Sequence, residues 1–164
     1  MAFEQTVKVT RVMVKFEPTQ LDDDYIQMIF SGDLTAKRWD YSTNVKECIA
    51  RAPVFSSSTI RKHNNGEWVE LWSGLCSVKT NPWTLTSFEL QYEDHQKAFW
   101  SNGSEKYYYY PRLEYGPNWE NNINIHLDSG GLNKNTQGKL SLRITYSREG
   151  PDFYSLWKEA GLGI

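Results

Sequence analysis

A period of two in the apolar residues is the feature that most restricts how this chain can fold. Because side chains alternate between the two faces of a strand, such a segment offers one apolar face to a core. The cleanest segments, NINIHL and KLSLRITY, place these apolar residues on single faces: Ile123, Ile125 and Leu127, then Leu140, Leu142, Ile144 and Tyr146. Similar runs recur between Asn-Gly and Gly-rich turns, which is typical of sandwiches and barrels. We therefore predict an all-β fold, a single antiparallel β-sandwich.

The phase of the alternation changes within two segments. Between Val9 and Val12 one residue too many separates the apolar positions, which predicts a β-bulge near Thr10. A second change falls between Leu85 and Phe88.

Turns and helices leave weaker signals. Asn64-Asn65-Gly66 predicts a hairpin turn, because Asn and Gly tolerate positive φ. The tail is predicted to end in a short helix packed on the sandwich, since Asp152 can cap it and Gly161 can end it. The middle of the chain has no clear period, and we expect a short helix around Val45–Ala50. No repeat or linker divides the sequence, so residues 1–164 are predicted to form one domain.

Composition narrows the classes of function. The 18 basic and 20 acidic residues are scattered along the chain, which argues against nucleic acid as a partner. Aromatic residues make up 15% of a chain whose mean hydropathy is −0.64, so many rings are expected in partly polar settings, where rings commonly carry recognition. No signal peptide or membrane-spanning run is evident, and we expect a cytoplasmic protein, or one exported without a signal peptide, that acts at membrane surfaces.

Catalytic and redox motifs are not recognisable. The three histidines lie in no known motif, and there is no nucleophile elbow, zinc signature or phosphate-binding glycine loop. We therefore expect no enzymatic activity. Cys48 and Cys76 lack the CxxC spacing of a metal or redox site and are interpreted as buried thiols rather than a disulfide.

The segment EKYYYYPRLEYGPNW is the strongest candidate for a binding site. In a strand, the four consecutive tyrosines must send two phenols to each face, so one core face cannot bury them all. We predict that the outward pair joins two later rings and a cation in an aromatic surface. The candidate ligand-binding residues are Tyr107, Tyr108, Tyr109, Tyr110, Arg112, Tyr115 and Trp119. The alternative is that these rings only pack the edge of the sandwich.

The loop Asp128–Gly138 offers the oxygens of Asp128, Asn133 and Asn135 to a calcium ion. Its spacing does not fit the EF-hand pattern. The favoured interpretation is a long turn in which glycine and asparagine adopt unusual backbone conformations. No cofactor is expected, with calcium as the alternative.

The strand order of residues 66–146 resembles known families. Residues 66–111 contain a strand, a small-residue turn, a further strand and the aromatic strand, and residues 118–146 contain a Trp-led strand that reaches LDSGGL before a final strand. This arrangement resembles the aegerolysins and, more distantly, the actinoporin-like cytolysins and fungal lectins. The resemblance implies a compact β-sandwich toxin fold that binds membrane lipid headgroups or glycans. The loop at Asp128, Asn135 and Gly138 is also similar to the calcium loop of small galactose-binding lectins.

Three classes of function remain open. The preferred hypothesis is a cytolysin-like, membrane-binding protein that recognises lipid headgroups and permeabilises only with a partner or as a homo-oligomer. The alternatives are a carbohydrate-binding lectin of cell-surface glycans and a structural or protein-binding sandwich.

Overall fold

The structure is a computed structural model that describes residues 4–20, 25–40, 42, 44–61, 65–81, 84–96, 106–113, 118–128 and 135–150. Within these ranges the chain forms eight strands and no helix. The strands are β1 (Gln5–Gln20), β2 (Tyr25–Asp40), β3 (Val45–Arg61), β4 (Trp68–Thr80), β5 (Leu85–Gln96), β6 (Lys106–Tyr109), β7 (Asn118–Asp128) and β8 (Asn135–Glu149).

The strands form two four-stranded antiparallel sheets that pack as a β-sandwich. One sheet has the order β4-β1-β8-β7 and the other has the order β3-β2-β5-β6. The predicted fold class is thus confirmed. The helix predicted in the tail lies outside the described residues.

The core lies between the sheets and follows the period of two. In β8, every second residue from Leu140 to Tyr146 is buried, as the sequence predicts. In β1 the same pattern buries Val7, Val9, Val12, Val14 and Phe16. Each fully buried side chain of this kind contributes about 1.5–3 kcal/mol of transfer free energy, so the core is the main source of stability.

The β-bulge predicted in the first strand is confirmed. The pairing of β1 shifts its register between Val9 and Arg11 towards both β4 and β8, which places the β-bulge at Thr10. Gly66 has the expected positive φ, 78°, but the hairpin predicted for Asn64-Asn65-Gly66 is wrong, because β3 pairs with β2 and β4 pairs with β1, so this turn connects the two sheets.

The short helix expected around Val45–Ala50 is wrong, because these residues begin β3. They pair with β2 from Ala36 to Asp40, and register shifts near Gly32 and Lys37 interrupt the alternation along this pair. An irregular register hides the period that sequence reading depends on, and pairing with β2 decides the conformation.

The burial predicted for both cysteines is also wrong. Cys48 is exposed and its Sγ donates to the carbonyl oxygen of Ala50 at 3.4 Å, whereas Cys76 is half-buried. Burial and the nearby charge of Asp33 raise the pKa of the Cys76 thiol. Both thiols are free, in agreement with the preference for thiols over a disulfide.

The edge strands define two long sides of the sandwich. On the β3–β4 side, Ser58 Oγ donates to the carbonyl oxygen of Leu71 at 2.7 Å and Cys76 Sγ contacts the carbonyl oxygen of Pro53 at 3.8 Å. On the β6–β7 side, the side chains of Tyr109 and Asn121 are hydrogen-bonded to each other. Both sides therefore contain contacts between the two sheets.

Candidate functional site

The predicted binding residues begin in β6, the edge strand that pairs with β5. Tyr109 is opposite Leu90 and Tyr107 is opposite Tyr92. The same register continues beyond the strand, because Phe88 N donates to Pro111 O at 2.9 Å and Leu113 N donates to Thr86 O at 2.8 Å. Residues 106–113, which we call the edge segment, therefore follow β5 as one extended stretch.

The edge segment sends alternate side chains to opposite faces. Tyr109 is partly buried against the core, and Pro111 and Leu113 are buried. The side chains of Tyr108, Tyr110 and Arg112, which fall between them, are exposed. The alternation predicted for the tyrosine run is therefore observed at the described side chains.

The two exposed rings form a regular pair that we call the tyrosine row, Tyr108 and Tyr110. Each tyrosine is 53% exposed, the ring centroids are 6.3 Å apart and the ring planes differ by only 5°. Two residues of a strand span roughly 6.6 Å, so the separation of the rings matches that of their backbone positions. The row presents apolar ring faces together with phenol oxygens at the molecular surface.

Tyr109 has a structural rather than a surface role. It packs against the core and is hydrogen-bonded to Asn121 of the opposite sheet. Burial raises the pKa of its phenol, and the bond to Asn121 acts in the opposite direction. Tyr109 thus holds the edge segment against β7 while its two neighbours face outward.

For the remaining predicted residues the structure describes at most the backbone. Tyr107 pairs with Tyr92 and Trp119 pairs with Ile144 through the backbone, but the side chains of Tyr107 and Trp119 lie outside the described part of the chain, as does all of Tyr115. The structure brings together Tyr108, Tyr110 and Arg112. The participation of the other three residues in the surface stays a prediction.

Arg148 secures the far end of the edge segment. This β8 side chain donates to Thr86 Oγ1 at 3.0 Å and to the carbonyl oxygen of Leu113 at 3.2 Å, and it also bonds Gln5. It therefore ties one sheet to β5 and to the edge segment of the other. The contact holds Leu113, the inward neighbour of Arg112, in place.

A network of charges lies beside the edge segment, on the outer face of the same sheet. Glu89 accepts from Lys37 at 2.8 Å and from Arg51 at 2.9 Å, and Arg51 also contacts Asp33 at 2.7 Å. The side chain of Glu89 is only 16% exposed. Burial acts to raise the pKa of Glu89, but the bonds from Lys37 and Arg51 outweigh burial and the pKa lies below its ordinary value.

A second cluster, on the outer face of the other sheet, was not found by sequence reasoning. The guanidinium of Arg143 lies 4.1 Å from the ring centroid of Trp68, and Lys15 Nζ lies 5.1 Å from it. Glu120 binds Arg143 at 2.8 Å, and this bond lowers the pKa of Glu120. The contributing residues come from four strands, so only the register of the sheet reveals that they meet.

The loop considered for calcium is described only at its ends. Asp128 and Asn135 pair as the last residue of β7 and the first of β8. Their side chains and all of Asn133 lie outside the described part, and among the described residues no group of three or more His, Cys, Asp or Glu could hold a metal ion. The glycine at position 138 is explained by packing instead, because a Cβ there would lie 2.5 Å from the Glu17 carbonyl oxygen. The choice between turn and calcium site stays a prediction.

Comparisons with known proteins identify no family for this chain. No protein family model and no curated protein matches the sequence. A solved structure titled "Structure of a C2 domain" is similar to 87% of this chain and 98% of its own, with 14% identity and a TM-score of 0.37. In the described ranges, no helix occurs that is long and apolar enough to cross a membrane.

Proposed function

We propose that this protein binds the headgroups of zwitterionic lipids at membrane surfaces through Tyr108 and Tyr110, without catalysing a reaction. The observation that supports the proposal is the tyrosine row, two parallel rings that stand half-exposed on one edge of the sandwich. Exposed large apolar side chains are few in the described part of the chain. Besides these two tyrosines they include only Leu75, on the opposite side.

The chemistry of tyrosine suits a lipid headgroup. A phenol combines an apolar body with a polar rim, which is the character of rings at the interface between membrane and water. The ring faces also attract a quaternary ammonium, such as that of choline, with about 0.5–2 kcal/mol per contact. Arg112 lies on the same face of the edge segment, where a guanidinium suits the adjoining phosphate.

The row is also held in place before a ligand arrives. Tyr108 and Tyr110 alternate with Tyr109 and Pro111, which point inward, and the backbone of the segment is bonded to β5. Binding therefore requires little ordering of the protein, and less of the contact energy is lost to conformational entropy.

Glycan binding is the second candidate, because the nearly parallel planes of the two rings also suit stacking on sugar rings. Permeabilisation, which the resemblance to cytolysins implies, would require a partner or an assembly of several copies. Dye release from vesicles, measured beside binding, tests that further step.

Co-sedimentation with phosphatidylcholine vesicles, run beside a glycan array, tests the proposal. The double variant Tyr108→Ala/Tyr110→Ala should lose about 1–3 kcal/mol of binding free energy, or roughly fivefold to 150-fold in affinity. Leu75→Ala is the matched control, because Leu75 is 69% exposed but lies in β4, and its binding should equal that of the parent.

The salt dependence of binding gives an independent check. Contacts with ring faces should survive moderate salt, which screens interactions between exposed charges. Binding of sugars but not vesicles would replace the lipid by a glycan. Parent-like vesicle binding by the double variant, or an equal loss in Leu75→Ala, would contradict the proposal.

A further inference from the structure

The free edge of the edge segment carries a row of backbone groups. Pro111 and Leu113 bond to Phe88 and Thr86 of β5, so their backbone groups point towards β5. In an antiparallel pair every second residue points its N–H and C=O groups towards the partner strand, and the residues that alternate with these point the same groups the other way. These residues include Tyr108, Tyr110 and Arg112, and among the described strands none pairs with β6 on that side.

Pro111 does not protect this edge. Proline in an edge strand usually turns its nitrogen to solvent, which removes a donor from the free edge. Pro111 has the opposite orientation, because its carbonyl oxygen accepts from Phe88 N and its ring nitrogen therefore also faces β5. The missing donor is on the paired side, so Pro111 removes no backbone donor from the opposite side of the edge segment.

We propose that this edge pairs with the same edge of a second copy of this chain, antiparallel, with Tyr110 at the two-fold axis. In that register Tyr110 is opposite Tyr110 of the partner subunit, and Tyr108 is opposite Arg112 of the partner subunit. An isologous contact uses the same patch on both copies, so the second pair occurs twice.

The complementarity of these pairs favours a second copy as the occupant. Residues directly opposite in a hydrogen-bonded pair have Cα atoms roughly 5.5 Å apart and side chains on the same face. Each guanidinium of Arg112 then lies beside a tyrosine ring, an arrangement that cation–π attraction stabilises. A slip by two residues in one direction would instead place Arg112 opposite Lys106 of the partner subunit, where like charges repel, whereas a slip in the other direction would take Tyr110 off the two-fold axis.

Such a dimer would join two sheets into one and place both tyrosine rows on the same outer face. Four rings would then meet a membrane together, and the avidity of the pair would exceed that of one copy. This consequence rests on the proposed function. Dimerisation itself is measured without vesicles, so the two proposals can fail separately.

Sedimentation of the full chain over a wide range of concentrations tests the pairing, with Tyr108→Pro compared against Tyr108→Ala. Both variants lose the ring, but only proline removes the N–H that faces the free edge and leaves the bonds to β5 intact. We expect a concentration-dependent dimer for the parent and for Tyr108→Ala, and dimerisation at least about tenfold weaker for Tyr108→Pro. A monomeric parent at every concentration, or equal dimerisation of the two variants, would overturn the inference.

Cross-linking in a Cys48→Ser background tests the register without a proline. Tyr110→Cys places two thiols across the two-fold axis at a Cα separation within the range of disulfides, whereas Tyr108→Cys places each thiol opposite an arginine. Mild oxidation should therefore link Tyr110→Cys into a covalent dimer in much higher yield than Tyr108→Cys. Equal yields, or a higher yield for Tyr108→Cys, would refute this register.

Discussion

The two long sides of the sandwich use their exposed and polar groups differently. On the β3–β4 side, the Ser58 hydroxyl of β3 and the Cys76 thiol of β4 each contact a carbonyl oxygen of the other strand, and Leu75 is the exposed large apolar residue. On the β6–β7 side, Tyr109 makes the contact between the sheets while its neighbours Tyr108 and Tyr110 stand in solvent.

On the β6–β7 side, stability and recognition depend on different residues of the same edge segment. Scattered exposed apolar residues such as Leu75 are normal on protein surfaces, whereas two parallel rings on one edge segment form a defined feature. Inward residues of the edge segment hold it in place, and the outward residues are left for a ligand. Substitutions of inward residues should therefore affect unfolding, and substitutions of Tyr108 and Tyr110 should affect binding.

The largest effect on stability is expected on the β3–β4 side. Ile60 of β3 is 1% exposed in the core, and Ile60→Ala should lower the free energy of unfolding by about 2–4 kcal/mol through lost burial and a cavity. Denaturant unfolding measures it. Ile60→Val, the conservative control, should cost about 0.5–1.5 kcal/mol, and a cost for alanine no greater than for valine would show that Ile60 does not anchor this side.

The charge network beside the edge segment should have the next largest effect. Glu89→Gln removes the shared partner of Lys37 and Arg51, and we expect a loss of about 1–2 kcal/mol, between the values for exposed and buried ion pairs.

This loss should depend on pH. The pKa of Glu89 is lower in the folded chain, so its carboxylate stabilises the fold above the unfolded pKa of about 4.3 and stops doing so as the pH falls through the folded pKa. Melting temperatures of the parent and Glu89→Gln should therefore converge on acidification below about pH 4. A difference between them that stayed constant or grew at low pH would contradict the assignment.

A smaller effect on stability is expected where Tyr109 meets Asn121. Tyr109→Phe keeps the ring against the core and removes the hydroxyl, so unfolding should become easier by about 0.5–1.5 kcal/mol. Vesicle binding should change little. A loss of binding with unchanged stability would mean that Tyr109 belongs to the recognition surface.

The smallest effect on stability is expected at the tyrosine row itself. Tyr110→Ala removes a ring that is half in solvent, and the free energy of unfolding should change by less than about 0.5 kcal/mol, as at most surface positions. Thermal unfolding by circular dichroism measures it. A loss close to that of Ile60→Ala would show that the row is part of the core, and a binding site would have to be sought elsewhere.

The sequence predicts the features of this molecule that depend on neighbours along the chain. Alternation predicts the buried face of β8, the bulge at Thr10 and the division of the tyrosine run between two faces, because side-chain direction in a strand follows from residue parity, whereas the structure shows that Tyr108 and Tyr110 are the outward pair. The prediction of a helix at Val45–Ala50 fails because register shifts in the pairing with β2 disturb that parity.

Contacts between distant strands do not follow from neighbours along the chain. The partners of Glu89 lie on β2 and β3, and the cations around Trp68 lie on β1 and β8. Charged residues at outward positions signal only that a strand face is polar. Which of them meet depends on strand order and register, which these segments do not encode locally.

Hydroxyl-radical footprinting with mass spectrometry, at a protein concentration too low for dimerisation, tests the central claim most directly. Trypsin releases Tyr108 and Tyr110 in one peptide, residues 107–112, and Leu75 in another, so both sides of the sandwich are measured in the same sample. With phosphatidylcholine vesicles present, we predict that oxidation of Tyr108 and Tyr110 falls while that of Leu75 is unchanged. Protection of Leu75 with undiminished oxidation of the two tyrosines would contradict the account.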